Sequence, residues 1–154
     1  MTLYFAYGSN MSRVGMAARC PGARALGLAQ LSGWRFVIGR DGYASIMRAA
    51  GGEVIGILWQ LGPRGIAALN AYESLDSGLY TRSEVTIRHD GGASAAMVYI
   101  ARGRKIGRPR PGYMELIVEA ARDWRFPGDY IRALQRWSPL TFRGARAAET
   151  GEVG

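Results

Sequence analysis

The run EVIGILWQL, residues 53 to 61, is apolar at nearly every position. It is too short to cross a bilayer as a helix, and it reads as a strand covered on both faces. Such a strand needs packing partners above and below it, and the surrounding sequence supplies them. Residues 2 to 7 form a second aromatic and aliphatic stretch, stopped by Gly8, with Ser12 placed to cap a short helix. Between 25 and 50, apolar stretches alternate with SG, GR and DG, which suits two or three short strands, among them WRFVIG and YASIM. LYTRSEVTIRHDGGASAAMVYIA, residues 79 to 101, gives strand, DGG turn and strand, the pattern of a hairpin. Six or more short strands favour a closed or nearly closed sheet, since closure removes exposed edges.

The helical signals lie mostly toward the C-terminus. Pro63 suits the first turn of a helix that runs toward Glu73. In GYMELIVEAARDWRF, the residues Tyr113, Leu116, Ile117, Ala120, Ala121 and Trp124 recur at amphipathic spacing, with Glu115, Glu119, Arg122 and Asp123 on the solvated face. A second short helix comes after Pro127. The expected class is α+β: one domain over residues 1–140, then a loose tail over 141–154, which has little to bury. At 154 residues the chain buries about 70% of its unfolded surface and needs no staples.

Composition removes several classes of function. A single cysteine, Cys20, excludes an internal disulfide, and no histidine or second cysteine stands at zinc-ligand spacing from it. No secretory signal or apolar spanning segment is visible, so a soluble, cytoplasmic protein is expected. The net charge is +8, but only one of the 20 basic residues, Lys105, is a lysine, and the arginines are spread along the chain. That pattern fits a compositional bias better than a nucleic-acid face. The dense stretch ARGRKIGRPRPGY, 101 to 113, is a glycine- and proline-punctuated loop.

The chemistry is narrowed by elimination. Cys20 with His89 is the one conceivable thiol pair, and His89 sits beside a turn, where exposure is the commoner state. GxSxG, P-loop and GxGxxG motifs are absent. A lone carboxylate working without metal or cofactor remains. Ile66 and Leu69 define an inward helical face, and Glu73 falls seven and four residues after them, on the same stripe. Inside, desolvation would raise its pKa toward neutrality and suit it to proton transfer; outside, at a fraying helix end, it would be an ordinary surface acid. The N–H groups of Gly8, Ser9, Asn10 and Met11 can form an anion-accepting nest or an ordinary turn. Periodicity leaves both pairs of readings open.

Three motifs in order, YFAYGSNM at the N-terminus, LNAYESLDSGLY at 69 to 80 and PRPGY at 109 to 113, resemble the gamma-glutamylcyclotransferase family, whose fold AIG2-like proteins share. The likeness extends over roughly residues 1 to 125. It implies a small mixed β-barrel flanked by helices and an enzyme that cyclises a γ-glutamyl amide to 5-oxoproline, releasing an amine. Glu73 matches the family's catalytic acid/base. Tyr7, Gly8, Ser9 and Asn10 match its substrate loop, and Tyr80 and Tyr113 match the tyrosines that line its pocket. Ser74 and Asn70 replace the usual glycine and aspartate. No cofactor is implied. The expected partner is a small γ-glutamyl molecule, not nucleic acid or membrane, with a homodimer left open. The rival reading is a silent anion- or nucleic-acid-binding module using the barrel cavity and the basic loop 102–110. Arg102, Arg104 or Arg108 of that loop could meet a leaving-group carboxylate.

Overall fold

The apolar run at 53–61 is half of a much longer strand. The computed structural model describes residues 1–73 and 79–138. Five strands, β1 (Thr2–Ala6), β2 (Arg24–Ile38), β3 (Ala44–Leu61), β4 (Tyr80–His89) and β5 (Gly92–Ala101), close into a barrel in the order β1-β3-β2-β4-β5. β1 pairs antiparallel with β3 and parallel with β5, so the barrel is mixed. Helices α1 (Arg13–Arg19) and α2 (Pro63–Tyr72) sit in the connections, and α3 (Tyr113–Asp123) and α4 (Gly128–Gln135) come after the barrel. The expected tail at 141–154 lies outside the described residues.

The closed sheet is built from two long strands in place of the several short ones expected between 25 and 61. The glycines read as breaks are bends instead. Gly33, at φ +85°, sits where the β2–β3 register shifts between Ser32 and Trp34, and Gly51, at φ +77°, lets β3 continue through the GG pair. A bulge adds local twist without ending the ladder, and that twist helps a small sheet close on itself. In the β4–β5 hairpin Asp90 and Gly91 both take positive φ, 53° and 81°, between the paired residues His89 and Gly92. That is the two-residue turn whose twist matches the flanking strands.

Val54, Ile55, Ile57, Leu58, Trp59 and Leu61 are all buried, as expected of a strand covered on both sides. Gly56 interrupts their side chains because the end of the neighbouring strand β1 lies close there: a Cβ at this position would lie 2.3 Å from the Ala6 carbonyl oxygen and 2.8 Å from the Phe5 ring. Backbone cannot yield as a flexible side chain does, so Gly56→Ala is expected to cost about 3 kcal/mol of stability through overpacking. Urea unfolding of the variant checks this, and a change below about 0.5 kcal/mol would contradict it.

The inward face of α3 is rotated from the expected one. Met114, Ile117, Val118, Ala120 and Ala121 are buried, whereas Leu116 is 56% exposed. Both stripes share Ile117, Ala120 and Ala121, so periodicity alone could not choose between them. The rotation follows from Tyr113 at the helix start, whose hydroxyl accepts a hydrogen bond from the Ala44 N–H at 3.0 Å and whose ring packs edge-on against Tyr43. Glu115, Glu119, Arg122 and Asp123 are exposed, as expected. No helix among the described residues is long and apolar enough to cross a membrane.

Candidate active site

β1 delivers the GSN segment to one end of the barrel. Gly8 leads into a 3-10 turn over Ser9–Met11, and Ser12 Oγ accepts from Gly15 N–H at 3.0 Å to cap α1. The carbonyls of this turn are all taken by donors. Gly8 C=O accepts from Met11 N–H and Ser9 C=O from Ser12 N–H. The indole N–H of Trp59 donates to Asn10 C=O at 3.1 Å, and that of Trp124 donates to Met11 C=O at 2.7 Å. The N–H groups of Gly8, Ser9 and Asn10 have no acceptor among the described residues. Successive free N–H groups of this kind make an anion-accepting concavity. Met11 drops out of the donor set suggested by the sequence, because its N–H is spent on Gly8.

Opposite stands Glu73. Its N–H closes the last turn of α2 on Leu69 C=O at 2.8 Å, and Leu69 is fully buried, so the inward stripe carries the carboxylate in with it. Glu73 Oε2 accepts from Asn10 Nδ2 at 3.3 Å. Desolvation raises the Glu73 pKa from 4.5 to about 7, against a downward pull from the Arg19 guanidinium.

Arg19 also settles which way the Asn10 amide faces. Its Nε donates to Asn10 Oδ1 at 2.9 Å and its Nη2 to Ser9 C=O at 3.4 Å, with the guanidinium stacked 4.3 Å from the Tyr72 ring centre. With Oδ1 so occupied, Nδ2 is left to donate to Glu73 and, at 3.0 Å, to Tyr4 Oη. Gly15 makes room for this reach: a Cβ there would lie 2.6 Å from the Arg19 guanidinium. Arg19→Met is expected to move the Glu73 titration upward, since it removes the favourable charge and leaves desolvation unopposed. Followed by carboxyl NMR between pH 5 and 9, that titration should move to higher pH; an unmoved midpoint would contradict this role for Arg19.

All seven residues singled out in the sequence, Tyr7, Gly8, Ser9, Asn10, Glu73, Tyr80 and Tyr113, line one cavity of about 420 Å³. Tyr80 Oη donates to Ala44 C=O at 2.9 Å, while Tyr113 Oη accepts from Ala44 N–H and so keeps its own proton for a ligand. Tyr7 Oη donates to Tyr99 C=O at 2.5 Å. Burial holds the hydroxyls of Tyr4, Tyr7, Tyr80, Tyr99 and Tyr113 well above the usual phenol pKa, so they remain neutral donors. A Cβ on Gly8 would lie 3.1 Å from Ala44 Cβ and 3.5 Å from Tyr113 Oη, so the glycine lets the loop close against this wall.

Other residues of the site were not singled out in the sequence. Tyr4, Tyr43, Tyr99 and Arg110 also line the cavity, and Arg19 acts from behind it. Arg102, Arg104 and Arg108 do not border it; the arginine of that loop which does is Arg110, inside the PRPGY motif itself. Asn70 accepts from Tyr99 Oη at 2.6 Å, which anchors α2 to β5 without a carboxylate. Ser74 lies outside the described residues. Cys20 is buried beneath α2 near Gly65, and His89 is tied to Leu28 C=O at 2.9 Å; neither lines the cavity.

The mixed five-stranded barrel is a fold that solved gamma-glutamyl cyclotransferase structures share. A solved structure of that name superposes with a TM-score of 0.84 at 26% identity, covering 99% of this chain and 93% of its own. The gamma-glutamylcyclotransferases of Bos taurus and Homo sapiens are each 26% identical over 162 residues, covering 98% of this chain and 86% of theirs. The AIG2-like family model matches residues 53–134. The chain belongs to this AIG2-like, gamma-glutamylcyclotransferase family.

Proposed function

We propose that the protein cyclises the γ-glutamyl group of a small γ-glutamyl amide to 5-oxoproline, with Glu73 as general acid and base. The observation that carries this reading is the half-buried Glu73 carboxylate sharing one cavity with the N–H groups of Gly8, Ser9 and Asn10, which have no acceptor among the described residues. The substrate's α-amine is largely ammonium at neutral pH and attacks only after losing a proton. A carboxylate with a pKa of about 7 is half ionised at pH 7 and can both take that proton and return it.

The freed amine attacks the γ-carbonyl carbon of its own molecule. The C–N bond of the new five-membered ring forms, the carbonyl oxygen gains negative charge, and the Gly8–Asn10 N–H groups and the Tyr113 hydroxyl meet that charge. Collapse breaks the original amide bond as protonated Glu73 gives its proton to the departing nitrogen; the ring nitrogen, which still carries two hydrogens, then loses one to the freed Glu73 carboxylate, which passes it to the released amine to leave as ammonium. The rate advantage comes largely from holding one molecule folded, worth up to about 7–11 kcal/mol for well-oriented intramolecular attack. The neutral tyrosines and the close Gly8–Ala44 wall provide the confined space for it.

A panel of γ-glutamyl compounds, with the α-glutamyl isomers as controls, tests the reaction by 5-oxoproline release. Release is expected from at least one γ-linked compound and from no α-linked one. Intact γ-linked compounds after prolonged incubation would overturn the reading.

A further inference from the structure

The cavity is graded from floor to mouth. Tyr4, Tyr7, Asn10, Tyr80 and Tyr99 are all under 8% exposed, whereas Tyr43, Tyr72 and Leu79 at the rim are 38%, 46% and 52% exposed. If the cyclotransferase reading holds, and the inference rests on it, the reacting half of the substrate occupies the floor beside Glu73 and the Gly8–Asn10 turn. The leaving group therefore occupies the rim.

Arg110 is the only cation among the described lining residues. It is held in place three ways. Its backbone N–H donates to Gly42 C=O at 3.2 Å, its Nε donates to Asp41 C=O at 3.0 Å, and its guanidinium lies 4.7 Å from the Tyr43 ring centre. The preceding loop is tacked to the same turn, with Gly107 N–H donating to Ile38 C=O at 2.9 Å. Gly42 permits this close seating: it has φ +91°, and a Cβ there would lie 2.7 Å from Arg110 Cγ.

These tethers use Nε and leave the two terminal nitrogens without an acceptor among the described residues. The one ion pair among those residues joins Arg13 and Asp123, so no carboxylate of the described residues makes a direct ion pair with Arg110. The nearby Asp41 spends Oδ1 on the Tyr43 N–H at 3.3 Å. A fixed planar fork with unpaired terminal N–H groups at a cavity mouth is suited to an oxyanion, and the oxyanion that an amino-acid leaving group presents is its carboxylate.

We infer that Arg110, seated on Tyr43, is a specificity-determining residue that binds the α-carboxylate of the leaving amino acid. The cavity then prefers γ-glutamyl amino acids to γ-glutamyl derivatives of neutral amines. Tyr43, Tyr72 and Leu79 offer apolar contact to the leaving group's side chain.

The test compares γ-glutamyl-alanine with γ-glutamyl-alaninamide, which differ only in whether the leaving group carries a carboxylate. Wild type is expected to favour the acid in kcat/KM by about 10- to 100-fold, the range for a charge-assisted hydrogen bond, chiefly through KM. Arg110→Ala should bring that ratio to within about threefold of unity. Arg110→Lys, which keeps the charge and loses the fork, should retain an intermediate preference. Release of 5-oxoproline from both compounds, at a ratio that Arg110→Ala leaves unchanged, would overturn this subsite alone. Release from neither compound by wild type would overturn the cyclotransferase reading and the subsite with it.

Discussion

Glu73→Gln is expected to lose between about 100- and 10,000-fold in kcat/KM, the usual contribution of a positioned acid/base, while becoming more stable at alkaline pH. The gain in stability follows from the direction of the Glu73 shift. Burial raises its folded-state pKa from 4.5 to about 7, so the folded protein holds this proton more tightly than the unfolded chain does. Well below pH 4.5 the side chain is neutral in both states and costs nothing. As pH rises from 4.5 through 7 the buried carboxylate becomes a growing penalty, complete above 7, of up to about 3 kcal/mol. Glutamine retains an acceptor oxygen for Asn10 Nδ2 and carries no charge. Urea unfolding of wild type and variant should therefore coincide at pH 4.5 and separate at pH 8, with the variant the more stable. An inactive variant that is also destabilised at pH 8 would mean that the side chain serves packing.

The second large effect is expected from Asn10→Asp, which alters charge with almost no change of shape. Asn10 is 3% exposed, and its Nδ2 is 3.3 Å from Glu73 Oε2. The substitution removes that donor and sets a second carboxylate against the first. Two acids this close do not both ionise near neutrality, so the pair titrates as a unit, with one proton held to higher pH. Arg19, which now donates to Asn10 Oδ1, would be drawn to the new charge and relieve Glu73 less. The expected result is a loss of about 10- to 100-fold in kcat/KM at pH 7 that narrows as pH rises. Stability should also fall with increasing pH. Activity within threefold of wild type from pH 5 to 7 would show that Asn10 and Glu73 are not coupled as their geometry requires.

Much of the cavity was legible in the sequence because its parts come as short ordered motifs. YGSN, Glu73, Tyr80 and Tyr113 are far apart in the chain, yet each sits at or beside the end of an element, and barrel closure brings those ends to one mouth. Glu73 was readable by a second route, as an acid on the stripe of Ile66 and Leu69. Arg19 was not readable, since it lies on a seven-residue helix with no motif and matters only through its reach back over Gly15. Trp59 read simply as core, and the use of its indole N–H to hold the Asn10 carbonyl is a tertiary fact. The strand count went astray for a local reason. Gly33 and Gly51 have turn-like conformations, but the ladder breaks only locally there and resumes beyond them, and a glycine that bends a strand looks in sequence like one that ends it. Arg110 was overlooked among its neighbours because composition cannot distinguish an arginine tethered by Gly42 and Asp41 from one in solvent.

What unites these features is a carboxylate kept poised near neutrality beside three backbone donors. Its most direct test is the pH dependence of kcat/KM for 5-oxoproline release from a γ-glutamyl amino acid. The expected profile rises about tenfold per unit below pH 6, bends near pH 7 as Glu73 ionises and then levels. A profile already flat between pH 5 and 7 would contradict a raised Glu73 as the group that accepts the substrate's proton.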